Sequence, residues 1–167
     1  MFILDSVGFG SAFALLIPLS YTPDVAFEIS GAWFAAPSVI IMFYFLNIFG
    51  QFISSSNRKK EEDSKLDVIK WGILERLGFV LIYLTLNYFL DSSLILVFFL
   101  ITYGIFVYSS GAILPAYFDL VSRVLYKHRA IFFAANLTTG SLAGFLVSRY
   151  VDFRIQEKGL VEGFSDG

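Results

Sequence analysis

Five charged residues stand at the ends of long apolar stretches of this chain. Glu75 and Arg76 are adjacent, Asp119 and Arg123 are four residues apart, and Arg129 follows a short basic turn. In a helix, residues i and i+4 share one face, so Asp119 and Arg123 can form an ion pair. Such charges can anchor helix ends at the level of lipid headgroups, or they can form an interhelical ion-pair network that gates a moving bundle. The spacing alone favours anchoring and leaves the gating network as the alternative.

The sequence contains few candidate residues for other kinds of chemistry. The chain has no cysteine, which excludes thiol chemistry and cysteine-ligated metals. Its single histidine, His128, cannot supply both axial ligands of a haem. No H-E-x-x-H, G-x-S-x-G or glycine-rich phosphate-binding motif occurs, and a net charge of -2 gives no indication of nucleic-acid binding. We therefore expect no enzymatic activity, no cofactor, no metal and no nucleic-acid partner, and the substrate-binding residues are unknown.

Small residues and prolines recur at spacings typical of helix packing in membranes. Gly140 and Gly144 form a G-x-x-x-G pattern, which lets two helix backbones approach closely. Gly111 lies shortly before Pro115, which lacks a backbone donor and can kink a helix. We predict that these four residues contribute to helix packing.

The elements that position these residues are predicted to be membrane-spanning helices. Residues 92–118 contain no Asp, Glu, Lys, Arg or His, and about 20 apolar residues suffice to cross the hydrocarbon core of a bilayer. Apolar residues make up 57% of the chain and charged residues 16%, compared with about 25% charged in soluble domains. The sequence predicts an all-α, polytopic membrane helical bundle of about five transmembrane helices. The predicted spans are residues 6–22, 29–56, 70–90, 92–118 and 130–148.

The positions of Lys and Arg predict how the bundle is oriented. Most basic residues lie in or beside two loops, and short cytoplasmic loops retain positive charge. They are Arg58, Lys59, Lys60, Lys65, Lys70 and Arg76 around the loop between spans two and three, and Arg123, Lys127 and Arg129 between spans four and five. We therefore predict a multi-pass integral membrane protein whose N-terminus is cytoplasmic, with a transmembrane domain over 1–152 and a polar tail over 153–167.

Two segments carry a resemblance to the major facilitator superfamily of secondary transporters. The first is KLDVIKWGILERLGF at the start of the third span, and the second is GAILPAYFDLVSRVLYKHRAIFFAANLTTGSLAGFL across the fourth and fifth. Members of that superfamily show a similar small-residue and proline stretch late in the fourth helix, then an acidic residue, an arginine, a basic turn and a glycine-rich helix. The resemblance implies that Asp119, Arg123 and Arg129 match the family's cytoplasmic charges, and that Arg76 matches a basic residue early in the third helix.

The resemblance implies a transporter half, of which this chain supplies roughly helices one to five. Family members have about twelve helices that enclose a substrate path near the midplane of the bilayer. We therefore expect the chain to move a small solute by alternating access once further helices complete the bundle. The alternative is a non-catalytic accessory subunit of a larger membrane complex, such as a respiratory or energy-converting assembly. Both hypotheses predict the lipid bilayer and other membrane helices or subunits as partners.

Overall fold

The structure is a computed structural model that describes residues 21–56, 63–90 and 93–166. These residues fold entirely into helices and connecting turns, which confirms the all-α class. The helices are α1 (Thr22–Ser30), α2 (Ala35–Ser56), α3 (Asp63–Tyr88), α4 (Ile95–Val124), α5 (Arg129–Lys158) and α6 (Leu160–Asp166). The predicted first span, at residues 6–22, lies outside the described residues except for its last two.

Three of these helices are long and apolar enough to cross a membrane. They are α2, α4 and the part of α5 over Ala130–Lys158. Helix α3 is also long, but its first 14 residues include several charged ones, among them Glu75 and Arg76, and it is not apolar enough to be counted with these three. The structure thus supports a helical membrane protein, whereas the count of five spans and the cytoplasmic position of the N-terminus stay predictions.

The predicted second span, residues 29–56, begins in the last turn of α1, and a glycine turn separates that helix from α2, which forms most of the span. Helix α1 ends at Ser30, and Gly31 has a φ of 61° and donates its backbone N–H to the Phe27 carbonyl over 2.7 Å. Glycine adopts this left-handed conformation without the steric penalty that a Cβ introduces. Helix α2 then begins at Ala35, so Pro37 lies in its first turn, where the missing proline N–H removes no intrahelical hydrogen bond.

Helix α4 is the central element, with α2 on one side and α3 on another. The α2 contacts advance in the same direction as α4, since Leu46 faces Gly104 and Gly50 faces Ala112. Helix α2 is therefore parallel to α4. The α3 contacts run in the opposite sense, from Ser64 beside Asp119 to Gly78 beside Phe106, and α3 is antiparallel to α4.

The apolar core is concentrated around α4 in two clusters. The larger cluster joins α4 to α1, α2 and α3 and contains the fully buried rings of Phe99 and Phe106. The smaller cluster surrounds Ile113, Tyr117 and Val121 near the C-terminal end of α4, and side chains from α3 and the first turn of α5 pack against it. The two clusters fasten α4 to its neighbours along most of its length.

Helices α5 and α6 connect the two ends of this bundle. Helix α5 packs beside α4 near the turn that joins them, where the rings of Phe118 and Phe133 lie 5.5 Å apart. It continues beyond the predicted span end at residue 148, to Lys158. Most of the predicted polar tail is thus helical, and Leu160, Val161 and Phe164 of α6 pack against the larger core cluster. Tyr21 also donates a hydrogen bond from its hydroxyl to Asp152 of α5.

Candidate functional site

Asp119 forms a polar contact at the C-terminal end of α4. The Ser64 hydroxyl donates to Asp119 Oδ2 over 2.5 Å, and Arg123 Nε donates to Asp119 Oδ1 over 3.0 Å. Ser64 is buried and lies in the first turn of α3, so its hydrogen bond connects α3 to α4. The Arg123 pair lies within α4, as the i, i+4 spacing predicts. One carboxylate therefore binds a neighbouring helix with one oxygen and an arginine with the other.

Glu75 lies much deeper in the bundle than the sequence indicated. It is 12 residues into α3, or about 18 Å along that helix from Asp63 at the usual helical rise. It is 6% exposed, and the polar side chain beside it is Ser110 of α4. Ser110 precedes Asp119 by nine residues, which is about 13.5 Å along α4. Glu75 and Asp119 therefore lie at different depths of the same helix pair.

The two remaining candidate charges are Arg76 of α3 and Arg129 of α5. Arg76 is exposed and donates from Nη1 to the Gly72 carbonyl of its own helix over 2.9 Å. Arg129 is the first residue of α5, and its side chain lies outside the part of the chain that the structure describes. Of the five predicted residues, the structure joins Asp119 to Arg123 and gives Glu75 a separate partner.

Close helix contacts are made at glycines on both sides of α4. A Cβ added at Gly111 would lie 2.2 Å from the Asn47 carbonyl oxygen, and one at Gly50 would lie 2.4 Å from the Tyr108 carbonyl oxygen. On the other side, a Cβ at Gly78 would lie 2.8 Å from the Phe106 Cα. The backbones approach this closely only because these positions have no side chain.

The other predicted packing residues are Pro115, Gly140 and Gly144. Pro115 lies inside α4, which continues for nine further residues to Val124. Gly140 is buried, whereas the surroundings of the Gly144 side-chain position lie outside the described part of the chain. The sequence interpretation missed Gly50 and Gly78. The available signal was the i, i+4 pair of Gly50 and Ser54, which places two small residues on one helix face.

Polar side chains within the apolar helices mostly bond inside their own helix. Asn47 accepts from Gln51 over 2.7 Å, and Thr138 and Thr139 donate to backbone carbonyls four residues earlier. Asn136 is different, because its Nδ2 donates to the Tyr117 hydroxyl of α4 over 3.4 Å. Within residues 21–56, 63–90 and 93–166, no group of three or more His, Asp or Glu side chains is placed to bind a metal.

Comparison with known proteins identifies no relative. No protein-family model, no curated protein and no solved structure matches this chain.

Proposed function

We propose that this chain forms most of one half of a secondary transporter of the major facilitator type. On this proposal it moves a small solute by alternating access once further helices complete the bundle. The observation that carries the proposal is the Asp119 contact, in which a carboxylate at one end of the bundle binds both Ser64 of α3 and Arg123 of α4.

The Asp119 contact has the properties that a gate requires. The Asp119 side chain is 27% exposed and that of Arg123 is 44% exposed, so water and incoming charges can reach both groups. Ion pairs with such exposure contribute only about 0.3–0.5 kcal/mol when spaced i, i+4. A contact of this strength can be made in one conformation and broken in another without destabilising the fold.

The packing around α4 supplies the rigid body that alternating access needs. In secondary transporters, one group of helices rocks against another around a fixed substrate path. The glycine contacts at Gly50, Gly78 and Gly111 lock α2, α3 and α4 together, because no side chain separates their backbones. These three helices would therefore move as one unit along the glycine contacts. The Asp119 contact lies beyond Gly78, at the end of the α3–α4 pair, where the two helix ends can separate.

An uptake measurement with matched variants tests the transporter proposal. Vesicles that contain the complete assembly are incubated with radiolabelled sugars, amino acids and carboxylates in turn, under an imposed ion gradient. We expect one solute class to accumulate above empty vesicles and Asp119→Asn to impair that accumulation. Lys65→Gln is the matched control, because Lys65 is exposed and adjacent to Ser64. Equal accumulation with both variants would contradict the gating role of Asp119.

A second candidate function is an accessory subunit of a larger membrane complex. The observation that favours it is the exposed apolar surface of α5, where Ile131, Leu142 and Phe145 are 57–70% exposed. Such a surface can contact lipid or the helices of another subunit. The mass of the detergent-solubilised assembly separates the two functions. Fixed stoichiometry with other membrane proteins, together with no solute uptake, would replace the transporter proposal with this one.

A further inference from the structure

Glu75 is a buried carboxyl group in the interface between two long helices. It is 6% exposed, and the polar side chain beside it is Ser110 of α4. Aromatic contacts bracket it one turn away in each direction along α3. Trp71 lies against Tyr108 with ring centroids 5.5 Å apart, and Phe79 lies against Phe106 at 4.3 Å. The carboxyl group thus lies between two aromatic layers of the α3–α4 interface.

Retaining an ionisable group in such surroundings is costly. A charged side chain in an apolar helix interface loses its hydration, so buried charges in membrane helices are rare and usually functional. A purely structural link between α3 and α4 could be made by a neutral glutamine or serine without this cost. Glutamate differs from both in one property, which is that it can bind and release a proton.

The partner of Glu75 can serve both protonation states of the carboxyl group. A serine hydroxyl is a donor and also an acceptor, and its hydrogen can rotate. When Glu75 is ionised, Ser110 donates to the carboxylate. When Glu75 is protonated, the acid O–H can donate to the Ser110 oxygen instead. The hydrogen bond between α3 and α4 therefore survives the change of protonation, and a proton can bind without separating the helices.

The same surroundings disfavour a metal cation as the ligand. Hard cations such as Ca²⁺ and Mg²⁺ take about six or more oxygen ligands. The described neighbourhood of Glu75 offers its own carboxylate and one hydroxyl, and no cluster of three acidic or histidine side chains occurs in the described residues. A proton needs only one oxygen atom.

The titratable groups on the neighbouring elements are few. On α3, the Arg76 guanidinium donates to the Gly72 carbonyl and interacts electrostatically with Glu75. On α4, Tyr108 contacts Trp71, one turn of α3 before Glu75. Helix α2 contains no Asp, Glu, Lys, Arg or His. Glu75 is therefore the one carboxyl group at this depth among the described residues of α2, α3 and α4.

We propose that Glu75 and Ser110 form a proton-binding site inside the helical bundle, between α3 and α4. The reaction is the binding of one proton to the Glu75 carboxylate, which gives a neutral carboxylic acid and changes no other covalent bond. The site does not depend on the transporter proposal, since an accessory subunit of an energy-converting complex could use it equally.

Infrared difference spectroscopy of the purified full chain tests this site directly. The protein is placed in phosphatidylcholine nanodiscs, and spectra are recorded as the buffer is stepped from alkaline to acidic pH. A protonated carboxylic acid gives a carbonyl stretch that shifts on exchange into D₂O. We expect a titrating band that disappears in Glu75→Gln, which keeps a carbonyl acceptor for Ser110. The band should persist in Glu28→Gln, the matched control on the exposed surface of α1.

A second variant keeps the test decisive if Glu75→Gln does not fold. Ser110→Ala removes the partner hydroxyl and leaves the carboxyl group in place. We expect it to move the midpoint of the Glu75 band by about tenfold in proton concentration, because a hydrogen bond to the ionised carboxylate is stronger than one to the neutral acid. The proposal is overturned if Glu75→Gln leaves every titrating band intact, if the Glu75 band is constant at all pH values, or if Ser110→Ala moves no midpoint.

Discussion

Helices α4 and α5 each contain 30 residues, and both are apolar enough to cross a membrane. Helix α4 is packed inside the bundle, whereas much of α5 is exposed at its surface. Helix α4 buries 13 residues, including Gly104, Gly111 and Ala116. The described part of α5 buries Asn136, Gly140 and Val151, and leaves large side chains such as Leu146 and Phe153 exposed. Hydropathy alone therefore does not distinguish an internal membrane helix from a peripheral one.

The difference arises from where small residues face neighbouring backbones. In a bilayer the lipid is as apolar as leucine, so helices associate mainly through close packing and polar contacts rather than through burial of apolar surface. Helix α4 has glycine-mediated contacts on two sides, at Gly50 and Gly111 toward α2 and at Gly78 toward α3. The described contacts of α5 with the rest of the bundle lie near the α4–α5 turn and at the bond between Tyr21 and Asp152.

The largest expected effect is at the tight contact between α2 and α4. Gly111→Ala places a methyl group 2.2 Å from the Asn47 carbonyl, so the two backbones must separate. We expect the free energy of unfolding to fall by about 3 kcal/mol, because overpacking at a rigid contact cannot be relieved by moving a side chain. Thermal unfolding of the purified chain in detergent measures this loss of stability.

Gly72→Ala is the matched control for the Gly111 variant. Its added methyl group meets Arg76 Nη1 at 3.1 Å, and that atom is at the end of a flexible side chain. The gain in helix propensity is about 1 kcal/mol, so the variant should unfold at the wild-type temperature or slightly above. If Gly111→Ala and Gly72→Ala unfold alike, the α2–α4 contact is not as tight as described.

A smaller effect is expected on α5, at the G-x-x-x-G pattern. Gly144→Leu should lower the free energy of unfolding in detergent by about 1–2 kcal/mol or disrupt assembly, because a large side chain blocks the close approach of another helix. Leu146→Ala is the control, since Leu146 is 59% exposed. A silent Gly144→Leu combined with a harmful Leu146→Ala would show that the packing face of α5 is assigned incorrectly.

The hydrogen bond between Tyr21 and Asp152 should have a more modest effect. Tyr21→Phe removes the donor and leaves the ring, so we expect a loss of about 0.5–1 kcal/mol for this partly exposed bond. The control is Tyr150→Phe, because Tyr150 is 50% exposed and lies two residues from Asp152. Protease sensitivity after α5 provides a local readout, and equal cleavage rates in both variants would contradict a role in holding the end of α5.

The sequence predicted the long helices well and the contacts between them poorly. Long apolar runs identify α2, α4 and α5, because period and length are local properties of the chain. The sequence predicts that Glu75 lies near a helix end, because a long apolar stretch follows it. Its depth depends on where α3 begins and on its antiparallel register against α4, which sets Ser110 opposite Glu75. The close contacts at Gly50 and Gly78 depend in the same way on how α2 and α3 are aligned with α4. The residue pattern of a single helix carries no information about that alignment.

The smallest expected effect on stability is at the Asp119–Arg123 ion pair, and it distinguishes the two interpretations of the terminal charges. Arg123→Gln should change the unfolding free energy by only about 0.3–0.5 kcal/mol, because the pair is partly exposed and lies within one helix. Ser64→Ala removes the donor from α3 and should lower the unfolding free energy by more, about 1 kcal/mol, because Ser64 is buried and its hydrogen bond joins two helices.

Under the anchoring interpretation, neither variant alters the distance between α3 and α4. Under the gating interpretation, Ser64→Ala widens the distance distribution between spin labels at Leu66 and Tyr126, which are both exposed, whereas Arg123→Gln shifts it only slightly. An unchanged distribution in Ser64→Ala would leave anchoring as the role of these charges.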